Sequence, residues 1–291
     1  MNIVTRSAVA ALAALSSSFA QAPAAGGRGP AAPPKLEIRQ IKPNFYMVTG
    51  AGANSGVRVV PGSGIILVDG KLPGNYDALM AQIRSVTQEP IRDLIVTHHH
   101  VDHTGNNAGF LAAGVPIIAH ENLNKNLTTY QTAPPIPPPA TITYTTDYTV
   151  KVGNAEAKVY HFGPGHTSGD SVVFFPDLKI IMLSDVVTTG ATGPLMDYAS
   201  GGSALEWPKV LESILTLDFD TAIAGNGDPL TKADVATYKT KYELLLSRAK
   251  AQVAKGTPKE DLLKSIRTDD IGFNFRLNGT AIDSFIAELS K

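Results

Sequence analysis

Residues 97–105 read Thr-His-His-His-Val-Asp-His-Thr-Gly, with four histidines and one aspartate in the six positions 98–103. Along an extended chain alternate side chains share a face, so His98 and His100 point the same way. The chain then turns toward Thr104-Gly105, which lets Asp102 and His103 reach a neighbouring point. One short loop thereby offers two imidazoles to one cation, and a carboxylate with an imidazole to another. Neutral imidazole and carboxylate suit zinc, with iron or manganese as the alternatives. The chain has no cysteine, so a metal here must be held by histidine, carboxylate and water. Disulfides and thiol nucleophiles are excluded on the same ground.

Two later segments supply matching parts. Gly163-Pro164-Gly165-His166-Thr167-Ser168-Gly169-Asp170 follows an apolar run, and its Gly and Pro set a tight turn able to present His166. Ser184-Asp185 closes the apolar run 180–183 and puts a carboxylate at the exposed end of a buried strand. Alone, each reads as a turn or a strand end; with the first motif they complete a ligand set. His99 is expected to point away from its neighbours, His120 and His161 read as structural, and Trp207 reads as packing.

The elements that must position these residues alternate along the chain. Residues 45–48, 57–60 and 65–68 read as short strands separated by Gly and Pro-Gly turns. Residues 76–87 carry Leu79, Met80, Ile83 and Val86 at helical spacing, and 94–97 is a buried strand running into the histidines. A strand at 115–119 and a helix at 122–130 follow. The stretch 133–140, Ala-Pro-Pro-Ile-Pro-Pro-Pro-Ala, is extended: a rigid connector, or a lip over the site. Strands are expected at 148–152, 157–162, 171–175, 180–184 and 222–224, and helices at 204–215, 232–253, 258–266 and 281–289. Two strand-rich halves with helices outside give an α/β class, a four-layer αββα sandwich.

Ahead of this domain, Arg6, the apolar run 8–15 and Ser18-Phe19-Ala20 read as a signal peptide over 1–20. The Ala/Pro/Gly-rich residues 21–35 read as a linker, leaving 36–291 as the folded domain and a periplasmic or secreted location as the expectation. The apolar run is too short to span a bilayer, and no later segment is long and apolar enough. With 25 Lys and Arg against 26 Asp and Glu, no basic face for nucleic acid is indicated. The expected partner is a small-molecule substrate; oligomeric state is not indicated.

In this order and spacing the pieces resemble the metallo-β-lactamase superfamily, with His98, His100, Asp102 and His103 forming its HxHxDH motif. Asn54-Ser55, Leu67-Val68-Asp69, Thr104-Gly105-Asn106, Ala119-His120-Glu121-Asn122, residues 169–175, Gly201-Gly202-Ser203 and residues 230–234 extend the resemblance over the whole domain. It implies one metal held by His98, His100 and His166, and a second held by Asp102 and His103 with Asp185 bridging. Asp69 matches a position that steadies the histidine loop. One departure matters. Where the family usually supplies a last histidine in a Gly-His-Gly turn, this chain has Gly225-Asn226-Gly227-Asp228. A carboxamide oxygen is a weak zinc ligand, so the expectation is one tight zinc and a weakened second site, unless Asp228 compensates. Ser184 stands where a Gly is common.

The function this implies is metal-dependent hydrolysis of an ester, lactone, thioester or amide. A bound cation lowers the pKa of water from about 15.7 toward 7 and polarises the carbonyl. Asp102 would orient the nucleophile and shuttle a proton to the leaving group. Three alternatives stand beside this reading. A class B-type β-lactamase is one, opposed by the missing cysteine, the HxH spelling and Asn226. A mononuclear iron oxidoreductase that keeps HxHxDH is another. A non-catalytic metal-binding relative is the third.

Overall fold

The computed structural model describes residues 35–130, 135–189, 193–277 and 279–291. The expected signal peptide and its linker as far as residue 34 lie outside the described residues, as do 133–134 of the proline-rich stretch.

The first half supplies strands β1 (Glu37–Lys42), β2 (Phe45–Thr49), β3 (Ser55–Val60), β4 (Gly64–Val68), β5 (Ile91–Ile95), β6 (Ile117–His120) and β7 (Ile142–Tyr144). They form one sheet in chain order, antiparallel from β1 to β4 and parallel from β4 to β7. Between them lie helices α1 (Tyr76–Arg84), α2 (Val101–Thr104), α3 (Asn107–Ala112) and α4 (Glu121–Leu127). The second half supplies β8 (Asp147–Val152), β9 (Ala155–Tyr160), β10 (Val172–Phe175), β11 (Ile180–Ser184), β12 (Thr221–Ala224) and β13 (Leu230–Thr231) in a second sheet, also in chain order. Helices α5 (Trp207–Leu215), α6 (Lys232–Ala254), α7 (Lys259–Ser265) and α8 (Ala281–Leu289) complete it.

Alternation along the strands builds the layers. In β4, Ile65 and Leu67 pack outward with Leu79, Ile83, Phe110 and Leu123 of the first helical layer. Ile66 and Val68 pack inward with Val159, Val173, Phe175 and Met182 of the second sheet. On the far side, Ile181 and Leu183 of β11 meet Trp207, Leu211, Tyr242 and Phe285 from α5, α6 and α8. Burying a side chain of this kind contributes roughly 1.5–3 kcal/mol. The result is the expected αββα sandwich, with β3, β4 and β11 buried on both faces; β4 and all of β11 but its last residue are accordingly apolar, while β3 carries Ser55 and a buried Arg58 paired with Asp177.

Several boundaries differ from the sequence expectation, each for a local reason. β5 begins at Ile91, carried back through Arg92 and Asp93 by parallel pairing with β4, and ends at Ile95 rather than 97. The ladder stops there because the Thr97 amide donates to the Asp69 carboxylate instead. Helix α1 ends at Arg84 rather than 87: the amides of Val86 and Thr87 both turn back to the Ile83 carbonyl. Helix α5 starts at Trp207 rather than 204, because Glu288 of α8 takes the Ala204 and Leu205 amides. The described part of the proline stretch is stitched to its neighbours, Pro138 accepting from Asn107 and Ala140 exchanging two hydrogen bonds with Asn124.

Candidate metal centre

Strands β5 and β11 end side by side under one rim, and the loops that leave them carry the histidine motif and Asp185. The three expected imidazoles converge there. His98 Nε2 and His166 Nε2 each lie 3.0 Å from His100 Nδ1. One Asp185 oxygen, Oδ2, stands 3.9 Å from His98 Nε2 and 3.7 Å from His166 Nε2. Among the described residues these four are one of two groups whose ligand atoms all lie within 4.8 Å of one another.

The surroundings decide which nitrogen of each ring is free. His166 Nδ1 donates to the Leu195 carbonyl at 2.5 Å, leaving Nε2 as the acceptor. The Asp197 carboxylate takes the proton of His100 Nε2 at 2.9 Å, leaving Nδ1. His103 Nδ1 donates to Asp69 Oδ2 at 2.9 Å, and its buried Nε2 has no hydrogen-bond partner. The His100 Nδ1 and His166 Nε2 lone pairs therefore face the same small volume as His98 Nε2, where a proton can bridge only one pair of them. Ligands about 2.0–2.1 Å from a tetrahedral zinc lie roughly 3.3 Å apart, near the spacing seen here. The donor set fits a zinc-type cation.

The second expected point is less well closed. His103 Nε2 lies 3.7 Å from Asp102 Oδ2 and 3.7 Å from Asp185 Oδ1, so Asp185 turns one oxygen toward each point. Asp102 and His103 nevertheless stand outside both tightly converging groups. Asn226 does not complete them: its Oδ1 accepts from the Thr189 amide, and its Nδ2 donates to the Thr189 carbonyl. Asp228 does not compensate either, since its largely exposed side chain pairs with Arg39 at 2.6 Å.

Charge follows from this geometry. Burial, followed by the neighbouring His103, His100 and His166, pushes His98 well below the ordinary imidazole pKa. Burial also works against a charge on His103, but Asp69 and Asp102 outweigh it and hold that ring well above the ordinary value. A cation held at this point would take over the role of that proton. Burial would raise the Asp185 carboxyl, yet the hydrogen bond and charge of His103, with His166 and His100, hold it below the usual carboxylate range.

Sequence reading named the residues that converge here and missed part of what aims them. Asp197, which fixes His100, also caps the short 3-10 turn Tyr198–Ser200, and that capping pattern was the only mark it carried. Thr97 Oγ1 donates to Asp69 and meets Ser184 Oγ at 2.7 Å. Ser184 adopts φ 49°, the region glycine favours, and its hydroxyl joins this network. His99 turns away from the convergence point to Ser200 Oγ at 3.0 Å; with His100 and Asp197 it forms the second group. Tyr130 lays its ring 4.7 Å from His99 and 5.5 Å from His100. His120 and His161 stack on each other and spend their nitrogens on backbone groups, as structural residues do. Trp207 is buried and donates to the Val186 carbonyl.

A sequence profile of the metallo-beta-lactamase superfamily matches residues 49–226. The chain belongs to that superfamily. Among relatives of this metallo-beta-lactamase-fold protein, the 2,4-dinitroanisole O-demethylase subunit alpha of Nocardioides sp. (strain JS1661) is 26% identical over 196 residues. The match covers 66% of this chain and 58% of that protein, less than two thirds of its length. The metallo-beta-lactamase type 2 of Elizabethkingia meningoseptica is 24% identical over 189 residues, covering 62% of this chain and 74% of that one. The solved metallo-beta-lactamase from Pontibacter korlensis superposes with a TM-score of 0.64 at 19% identity, over 72% of this chain and 99% of that chain. That likeness is one of fold.

Proposed function

We propose that this chain is a zinc-dependent hydrolase acting on a carbonyl substrate: an ester, lactone, thioester or amide. The observation that carries the reading is the convergence of His98 Nε2, His100 Nδ1 and His166 Nε2 with Asp185, the His100 and His166 nitrogens being freed by partners on the far side of their rings. Zinc held there supplies a Lewis acid that makes hydroxide available near neutral pH and polarises the carbonyl. Three imidazole ligands would leave the fourth position of such a cation open to water or substrate, with Asp185 beside it.

The chain's own groups do the rest. Asp197 and Leu195 hold His100 and His166 in the required tautomers, and Asp69 does the same for His103. Asp102 Oδ2, beside His103 and partly open to solvent, accepts the proton of the attacking water and returns it to the leaving group. The sum is addition of water across the acyl bond, giving an acid and an alcohol, thiol or amine. The β-lactamase reading is supported by the names of relatives, so a β-lactam belongs in the same substrate panel.

Metal analysis of the purified protein, followed by that panel, tests the proposal. About one tightly held zinc per chain and turnover of an acyl substrate are expected. His100→Ala removes one ligand of three and should strip most of the metal, lowering turnover on the order of 10²-fold or more. A variant that keeps full metal content and rate would overturn the ligand assignment.

A further inference from the structure

The loops that frame the metal centre share a property of charge. Residues 49–54, 98–105, 163–170, 185–202 and 225–228 contain no lysine or arginine, and neither does 277–284. They do contain Asp102, Asp185, Asp197 and Asp228. Lys241 of α6 lines a separate pocket with Val187, Thr188 and Thr189, and two cations lie by the centre itself. Lys71 is fully buried and gives its ammonium protons to the Val48 and Ala53 carbonyls. Arg39, beside Asn226 on one flank, is paired with Asp228. Neither Lys71 nor Arg39 is left unpaired to receive an anion at the centre.

On the other flank a cavity of about 500 Å³ opens beside His100. Its walls are the 195–199 segment and the start of α8. Its lining is mixed: Leu195 and Ala281 offer an apolar strip, Thr280 and Ser284 add hydroxyls, and Asp197 is the carboxylate among the lining residues. Leu195 leaves 43% of its surface exposed. The walls are fixed before any ligand arrives: Glu288 of α8 accepts from Tyr198 Oη at 2.6 Å, from Ser203 Oγ, and from the Ala204 and Leu205 amides.

A site of this kind penalises an anion away from the metal itself. We infer that the substrate is uncharged, an ester or lactone without carboxylate or phosphate, whose apolar part lies between Leu195 and Ala281. This rests on the hydrolase reading above. Hydrolysis turns such a substrate into a carboxylate, and the surrounding aspartates then favour its departure. β-Lactam antibiotics carry a carboxylate beside the reacting ring, so the same field disfavours them.

Two thiols test this directly on the zinc-loaded full chain: 4-(mercaptomethyl)benzyl alcohol and 4-(mercaptomethyl)benzoate. Both bind zinc through sulfur, and the para ring keeps the carboxylate from reaching the metal. By calorimetry at low salt the neutral thiol should bind about 10-fold more tightly, with the gap closing as salt screens the aspartates. Ser284→Lys, an exposed change on α8, should tighten the benzoate several-fold and leave the alcohol unchanged. Equal or tighter binding of the benzoate by the unmodified protein would overturn the charge inference. A Ser284→Lys variant without effect on the benzoate would overturn the placement in this cavity. Failure to hydrolyse any uncharged ester would count instead against the hydrolase reading, because the thiol affinities are read without turnover.

Discussion

Asn226 is the residue that separates this centre from the ligand set its resemblance implies. Its carboxamide is not idle: it pairs with both the amide and the carbonyl of Thr189, as only a group with a donor and an acceptor side by side can. The residue that fails as a ligand therefore holds the loop after Asp185 in place. Asn226→His should exchange one role for the other. The imidazole can approach His103 and Asp102, tightening the second zinc by roughly 10 to 100-fold. The Thr189 amide and carbonyl lose their partners, so the loop should become easier to cleave by protease. Calorimetric zinc titration of both proteins decides the matter. Two equally tight sites in the unmodified protein would show that the second point is closed without a histidine. At this scale the candidate ligands stood out because they crowd together: four histidines in six positions need no fold to be noticed. Asp197 and Leu195 were not legible, because their roles exist only once their loop lies behind His100 and His166.

At the scale of elements, sequence pattern recovered what is locally encoded. The apolar runs of β4, β10 and β11 and the Thr231/Asp234 capping box that opens α6 stand out without tertiary information. β1, with the pattern Glu-Ile-Arg-Gln-Ile-Lys, is a mostly exposed edge strand, and β7 and β13 span three and two residues; pairing makes them strands, not composition. The β2–β3 loop shows how much such connections depend on distant residues. Gly52 (φ 96°) presses so closely on Asp102 that a Cβ would fall 2.6 Å from the aspartate Cβ. Lys71 closes the loop from below by joining the carbonyls of Val48 and Ala53. Burial lowers the pKa of Lys71 to about 7, with Asp69 and Asp102 opposing the shift. The folded chain thus releases this proton near pH 7, whereas an unfolded lysine keeps it to about 10.4. The unfolded state holds more protons across that window, so Lys71 makes stability rise with pH, by up to about 1.4 kcal/mol per unit. Lys71→Met should lose this rise and leave two buried carbonyls unpaired. Urea midpoints from pH 6.5 to 9.5, at one fixed metal content, should diverge increasingly in favour of the unmodified protein. Parallel curves would mean that the Lys71 ammonium stays charged in the fold.

For the domain as a whole, the centre joins two sheets that also meet through an apolar layer and through polar links such as Arg58–Asp177 and Asn54 to the Ala224 and Gly225 carbonyls. His98 and His100 come from the loop after β5 in the first sheet, while His166 precedes β10 and Asp185 follows β11 in the second. A cation bound by all four cross-links both halves at one rim, and the unfolded chain offers no such preformed site. Binding to the native state alone stabilises by RT ln(1 + [L]/Kd), about 2.7 kcal/mol when free metal is 100-fold above Kd. For a domain of this size each kcal/mol moves Tm by roughly 2–4 °C, so stripping the metal should lower Tm by about 5–10 °C. Restoring zinc should return it. His100→Ala should melt near the stripped value whether or not a chelator is present, since it lacks the ligand that both His98 and His166 face. If chelation removes the metal from the unmodified protein and the melting curve does not move, the cation does not tie the sheets together. The stability of the sandwich would then rest on its three apolar layers and the polar links between its halves.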